Sequence, residues 1–333
     1  MIESSAPTRI DLAGGTLDLW PLHLFFDNPP TLNAAIDLYA RVSLKTRRDR
    51  AVVIESQDLG LKARFSSIKS FPEDHPLQLI LRLIRFYKPA TGLEITTHCQ
   101  APAGSGIGGS SALNIALNGA LNRLTGNCYG RETLVEIAKN IETQVIKVPA
   151  GIQDYYSALK GGAQSIRCTY DRIINQPLPL DLKELTCRFV LCYTGKPRAS
   201  GINNWQVFKD VVDQDKKTRR HLGTIAETSV SMEQQLLRGS LKNFESLFDS
   251  EWQARKKLAP GISTPEMDSL IRAGKQQGAL AAKVCGAGGG GCVAFFVKPS
   301  ARESVTSALE SKGGRVLPFR FVKRGLSVSV REA

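Results

Sequence analysis

The stretch APAGSGIGGSSAL, Ala101 to Leu113, sets four glycines and three serines in front of an apolar run. It contains the spacing G-x-G-x-x-G at Gly104, Gly106 and Gly109, which is that of a dinucleotide-binding loop. The surroundings argue against that reading. A dinucleotide fold needs the glycines directly after a strand, then a helix, then a second strand ending in an acidic residue about 20 residues on. Here CQAPA intervenes before the glycines, and the segment after CYGRE reads as a second helix. A Walker A loop is excluded because no G-K-S or G-K-T occurs; Lys196 and Lys275 follow glycines but precede Pro197 and Gln276. The loop still favours an anion. Glycines let backbone N–H groups turn inward, and a helix N-terminus adds unpaired donors and a positive partial charge. Ser110 and Ser111 suit either of two roles there: capping the helix, or placing a hydroxyl on a magnesium ion that bridges phosphates.

The chain has 333 residues, 42% hydrophobic and 23% charged, which fits a globular protein of two ordinary domains. No apolar run reaches the roughly 18 residues of a membrane span, and MIESSAPTRIDLAGG lacks the pattern of a signal peptide. The seven cysteines are odd in number and scattered, with no C-x-x-C; a disulfide framework and a zinc site are not expected, and a cytoplasmic location is. The net charge of +13 concentrates in KTRRDR (Lys45–Arg50) and KKTRRH (Lys216–His221). These runs read as solvated surface, and no nucleic-acid-binding signature accompanies them.

Periodicity supplies the elements around the loop. AVVIES and LKARFS read as a hairpin, LQLILRLIRFY as a buried helix and GLEITTHC as a strand. Behind the glycines, Leu113, Leu117, Leu121 and Leu124 share one helical face. The next helix, RETLVEIAKNIETQV, buries Leu134, Ile137, Ile141 and Val145. In the second half, RFVLCYTG is a strand and SMEQQLLRGSLKNFESLF a long helical stretch. STPEMDSLIRAGKQQG opens on a capping box, Ser263 to Glu266, with Pro265 in its first turn. RVLPFRF and LSVSV form a closing strand pair. This is an α+β chain of two domains, 1–170 and 171–333, the second organised as a ferredoxin-like sandwich.

Three motifs taken together resemble the GHMP kinases, the family of galactokinase, homoserine kinase, mevalonate kinase and phosphomevalonate kinase. PAGSGIGGSSA, Pro102 to Ala112, resembles the family's P-x-G-x-G-L-G-S-S-A, with Ile107 for Leu. APTRIDLAGGTLD resembles the first motif, in which Arg9 and Asp18 are the matching residues. KVCGAGGGGCVAFF, Lys283 to Phe296, resembles the third, K-x-x-G-A-G-G-G-G-C. The resemblance implies the two-domain GHMP kinase fold, with a first domain like the ribosomal protein S5 domain 2-like fold. It also implies ATP and Mg2+ as the phosphoryl donor and its metal, with Pro102, Gly104, Ser105, Gly106, Ile107, Gly108, Gly109, Ser110 and Ser111 around the phosphates. A gapless match puts Ser110 on the serine that relatives use for magnesium; a slip of one residue gives that role to Ser111.

The same resemblance assigns the chemistry. GIQDYYSALKGG is similar to the segment carrying the family's catalytic aspartate, which makes Asp154 the general base; the plain structural alternative is that Asp154 N-caps a helix. Arg9 matches the arginine beside that base, where it also stabilises charge on the transferred phosphoryl. Glu142, read on the polar side of its helix, corresponds to a magnesium-binding glutamate; a solvated face is its alternative. Asp18, with Gly15 and Thr16, corresponds to the loop that grips substrate hydroxyls, and Gly288 and Gly289 to the backbone near phosphate and substrate. AGGTLDL, LNAAIDLYARV and YTGKPRASGINN lean towards the D-glycero-D-manno-heptose 7-phosphate kinases, with Arg198 placed to meet an anionic group of the acceptor. The expected activity is transfer of the γ-phosphoryl of ATP to a sugar hydroxyl, most simply the anomeric one, by a monomer or homodimer without nucleic-acid or membrane partners. A mevalonate- or homoserine-type kinase and a catalytically silent nucleotide-binding relative are the alternatives.

Overall fold

The computed structural model describes residues 1–197 and 202–331. The first half runs β1 (Ile2–Ala13), β2 (Pro30–Arg47), β3 (Val52–Ser56), β4 (Leu61–Phe65), α1 (Gln78–Tyr87), β5 (Gly92–Cys99), α2 (Gly109–Leu124), α3 (Arg131–Ile146), α4 (Gln153–Lys160), β6 (Ala163–Cys168) and β7 (Ile173–Pro177). The second runs α5 (Leu182–Cys187), β8 (Phe189–Tyr193), α6 (Ile202–Val212), α7 (Lys216–Leu236), α8 (Phe244–Arg255), α9 (Pro265–Gln276), β9 (Ala279–Val284), β10 (Cys292–Val297), α10 (Arg302–Ser311), β11 (Arg315–Leu317) and β12 (Ser327–Val330).

The strands make two sheets. One has the order β12-β1-β2-β5-β3-β4, with β6 pairing the first part of β2 and β7 pairing β6; the other is β11-β8-β10-β9. Sheet membership does not follow sequence order. The two closing strands expected to pair with each other separate: β11 edges the second sheet beside β8, while β12 returns to pair with β1. Gly119 of α2 permits this return, because a Cβ there would lie 3.0 Å from side-chain atoms of Leu326 and Val328.

The leucine face expected on α2 is only part of what this helix buries. Asn114, Asn118 and Asn122 are buried as well, so the helix is enclosed on nearly every side. Their amides are satisfied locally. Asn118 Nδ2 donates to Asn114 Oδ1 at 2.8 Å, the Tyr87 hydroxyl donates to Asn118 Oδ1 at 3.0 Å, and Asn122 exchanges hydrogen bonds with the Tyr129 backbone. A buried polar ladder costs little when each member has a partner. Two other local expectations are corrected. The long helical stretch after Ser231 breaks between α7 and α8, around Gly239 at φ +67°. The cap of α9 is Thr264, whose hydroxyl accepts from Met267 N; Ser263 instead donates to Asp268.

One of the cores joins the halves. Ile10 and Leu12 of β1 pack with Phe189, Leu191 and Phe296 of the second sheet and with Phe321. Phe189 meets Phe244, Phe248, Phe296 and Phe321 edge-on, with ring centroids 5.5–5.9 Å away, a geometry that adds quadrupole attraction to area burial. Phe189→Ala is expected to lower unfolding stability by about 3–5 kcal/mol through the cavity it leaves, read from the denaturant midpoint.

Candidate active site

Alternation along β1 sends Ile10 and Leu12 into the core and Arg9 and Asp11 to the other face. Both charged residues line a cavity of about 400 Å³. The walls come from the glycine loop, the segment Gly15–Leu19, the Gly151–Tyr155 turn into α4, and Arg255 at the end of α8. Leu59, Leu77, Leu79, Ile80 and Val145 make one end apolar.

Arg9 and Asp154 meet in this cavity. Arg9 Nε and Nη2 lie 2.7 and 2.6 Å from Asp154 Oδ1, and Arg9 Nη1 donates to the Gly106 carbonyl at 2.8 Å. Asp154 sits in the first turn of α4, yet the N-cap is Ile152 with no side-chain cap bond. Its carboxylate therefore serves the arginine and the cavity rather than the helix end. Gly108, at φ +80°, brings the loop within reach: a Cβ there would stand 3.2 Å from Asp154 Oδ2.

The serines do not cap their helix either; Gly108 is the N-cap of α2 and offers no side chain. Both turn to Glu142. Ser110 Oγ donates to Glu142 Oε1 at 2.6 Å and Ser111 Oγ to Oε2 at 3.1 Å. The Tyr155 hydroxyl and Asn114 Nδ2 also donate to Oε2, at 2.8 and 3.4 Å. Glu142 is thus buried on the inner face of α3, not on a solvated polar side. Burial pushes its carboxyl above the ordinary range, partly opposed by Ser110 and Tyr155, with Asp154 nearby pushing the same way as burial. The oxygen-only donor set, one carboxylate and one hydroxyl open to the cavity, suits Mg2+, which keeps few protein ligands and takes the rest from water and phosphate.

Other expected residues divide. Pro102, Gly104, Ser105, Gly106, Gly108, Gly109, Ser110 and Ser111 line the cavity, as do Gly15, Thr16 and Asp18. Ile107 does not: it is fully buried in the joining core, and only its carbonyl is used, accepting from Arg9 N at 3.0 Å. Gly288 and Gly289 lie behind the site. A Cβ on Gly288 would strike the Ile262 carbonyl, and Gly289 N donates to it at 3.0 Å. The third motif instead braces the glycine loop through Cys292 N, which donates to Ser105 O at 2.8 Å. Gly291 leaves no room for a Cβ against the same carbonyl. Arg198 lies outside the described residues.

Sequence reasoning missed a buried ion network. Lys283 Nζ lies 2.7 Å from Asp11 Oδ2 and 3.1 Å from Glu251 Oε1; Arg255 Nη2 lies 2.5 Å from the same Glu251 oxygen. Arg255 then reaches Gly15 O at 2.8 Å and Thr16 Oγ1 at 3.1 Å. Burial alone would raise the Asp11 pKa, but Lys283, Arg9 and Arg255 hold it well below the usual carboxylate range. Lys283 opens the third motif, so the motif's leading lysine was the available signal; Glu251 and Arg255, four apart on a helix, have the spacing of an ordinary surface pair.

This is the layout of a phosphotransferase: a glycine loop at a helix N-terminus, a carboxylate fixed by an arginine, and a second carboxylate beside the loop serines. The GHMP kinases N terminal domain matches residues 75–162 and the GHMP kinases C terminal domain matches residues 232–315; the chain belongs to the GHMP kinases, which move a phosphoryl group from ATP to a hydroxyl. It is 27% identical over 342 residues to the D-glycero-alpha-D-manno-heptose 7-phosphate kinase of Campylobacter jejuni, covering 98% of each chain. It is 24% identical to the mevalonate kinase of Thermococcus sibiricus, covering 98% of this chain and 97% of that one. The crystal structure of a D-glycero-D-manno-heptose 1-phosphate kinase from Bacteroides thetaiotaomicron superposes with a TM-score of 0.80 at 26% identity, over 100% of both chains.

Two outcomes follow from the electrostatics. Lys283→Met strands two buried carboxylates and is expected to cost about 3–5 kcal/mol of stability, measured by chemical denaturation. Asp18 behaves oppositely to Asp11. Burial is the largest influence and raises its pKa, Asp154 adds to the rise, and the hydrogen bond from Gln153 N opposes it. A raised carboxyl costs nothing at pH below its unfolded pKa, where it is protonated in both states, and costs most above its folded pKa. Asp18→Asn is therefore expected to melt higher than wild type at neutral pH, with the gap closing as the pH falls through the raised pKa and gone below about 4; thermal melts across pH check this.

Proposed function

We propose that this protein is an ATP-dependent sugar kinase acting on the anomeric hydroxyl of a heptose 7-phosphate-like acceptor. The observation that carries the reading is the Arg9–Asp154 pair at 2.6 Å, set in one cavity between the glycine loop and the Gly15–Asp18 segment. Phosphoryl transfer is largely a matter of positioning, neutralising charge and taking one proton from the acceptor. Asp154 would take that proton, and Arg9, anchored on the Gly106 carbonyl, would hold the carboxylate in place and face the phosphoryl in flight. Donors on the Gly104–Ser111 loop would hold the triphosphate, with the adenine towards the apolar end at Leu59, Leu77 and Ile80.

Ser110 and Glu142 would hold Mg2+, which when bound supplies charge neutralisation on the phosphate oxygens. Ser110 is the exposed serine of the two, which favours it as the ligand, whereas buried Ser111 and Tyr155 orient the carboxylate. Asp18 would grip an acceptor hydroxyl. The names of the heptose kinase relatives support the acceptor class. A boundary near residue 170 and a cytoplasmic location complete the reading; by hydrogen bonding, β7 and β12 go with the first sheet.

Turnover of D-glycero-D-manno-heptose 7-phosphate, L-fucose, D-galactose and mevalonate with ATP tests the assignment. The heptose phosphate is expected to react fastest. Asp154→Asn is expected to lower kcat by about 100- to 10,000-fold while nucleotide affinity stays within a few-fold; undiminished turnover removes Asp154 as the base, and preferential turnover of mevalonate removes the sugar reading.

A further inference from the structure

Gly15 lets two polar side-chain heads close in on the backbone in the wall of the cavity. A Cβ on this residue would stand 3.0 Å from Gln153 Nε2, 3.1 Å from Arg255 Nη2 and 3.3 Å from Asp11 Oδ2. Gln153 and Arg255 both line the cavity, and both are more than nine-tenths buried.

Each has hydrogen-bonding capacity left over. Gln153 uses its backbone, giving N–H to Asp18 and its carbonyl to Asn33 Nδ2, yet its side-chain Oε1 is buried with no partner. A guanidinium has five N–H donors. Arg255 gives Nε–H and one Nη2–H to Glu251, the other Nη2–H to Gly15 O, and one Nη1–H to Thr16 Oγ1. One Nη1–H remains. An unsatisfied buried polar atom is costly and calls for an explanation; at a cavity wall, a ligand group is the economical one.

We infer that Gln153 and Arg255 form a subsite that reads one hydroxyl of the acceptor, distinct from the hydroxyl held by Asp18 and from the one that is phosphorylated. The inference rests on the kinase reading above and extends it to which acceptor groups are recognised. The hydroxyl donates to Gln153 Oε1 and accepts from Arg255 Nη1–H. That pairing selects a hydroxyl: an ether or carbonyl has no proton for Gln153, and an alkyl carbon leaves both groups unpaired. A phosphate is disfavoured, because Asp11, Asp18 and Glu251 stand around the two residues. An acceptor phosphate consequently points away from this wall. Arg255 belongs to α8, so the second half of the chain contributes directly to acceptor choice as well as to bracing.

Calorimetry on the whole protein tests this without turnover. D-glycero-D-manno-heptose 7-phosphate, L-fucose, D-galactose and mevalonate are titrated into wild type, and monodeoxy analogues of the tightest binder follow. Gln153→Leu is the main variant, since the amide it removes makes no side-chain hydrogen bond among the described residues, and its melting temperature is expected to be no lower than that of wild type. One deoxy analogue is expected to bind wild type about 10-fold or more weakly than its parent. Gln153→Leu is expected to bind parent and analogue alike, and Arg255→Lys to lose the same discrimination. Equal parent affinity in wild type and Gln153→Leu overturns the subsite. So does a loss shared equally by every analogue, which marks a merely structural role, or no binding of any of the four compounds. Because turnover plays no part, the two readings fail separately: a protein that binds mevalonate alone ends the sugar reading, and the subsite is then judged on mevalonate and 3-deoxymevalonate.

Discussion

Lys283 holds two buried carboxylates that come from different halves of the chain, Asp11 on β1 and Glu251 on α8. Burying three charges is expensive, and only close pairing with further hydrogen bonds compensates it. The compensation is supplied by parts of the site itself. Asp11 accepts from Gly286 N in the third motif, and Glu251 accepts from Arg255, which grips Gly15 and Thr16 in the first. The network can be satisfied only when the two sheets and the loops between them are in register. Arg9, two residues before Asp11 on the same face of β1, inherits its position from that requirement. The spacing of Arg9, Asp154 and the glycine loop is thereby fixed by charges that do no chemistry.

Much of this was legible in the chain, and the reason is local. A glycine loop before a helix, alternation along β1 and helical periodicity in α1 and α3 each depend on neighbours in sequence. Arg9, Asp154 and Ser110 lie in motifs and Glu142 lies at a fixed distance before Asp154; in the fold Arg9 meets Asp154 and Ser110 meets Glu142. The environment of each was less legible. The serines and Asp154 were candidates for capping, and only the backbone shows that Gly108 and Ile152 occupy the cap positions. Glu142 read as a polar helix face because its partners, Tyr155 and Asn114, lie on other helices.

What resisted reading was non-local. LSVSV carries no sign that it returns to β1, since its partner lies more than 320 residues away. Gly288 and Gly289 belong to the third motif, which the resemblance sets near phosphate and substrate; here the run lets backbone pack directly on backbone at Ile262 and Ser105. Arg255 and Glu251 have the spacing of a solvent-exposed helical pair, and nothing in that spacing says that the pair is buried.

The acids of the site differ in what they are paired with, and that difference separates their roles. Asp11 is matched by Lys283 and held structurally inert, with its proton affinity driven down. Asp154 shares its charge with Arg9 but keeps about a fifth of its side chain exposed to the cavity, so it can meet an incoming hydroxyl. Glu142 is buried and receives only neutral donors, two serines, a tyrosine and an amide. Neutral donors stabilise a carboxylate less than a cation does, and its raised proton affinity records the deficit. A carboxylate left in that state beside a phosphate-binding loop gains most from a cation. The same fold thus keeps one partly exposed carboxylate ionised beside an arginine and leaves a buried one to neutral donors alone.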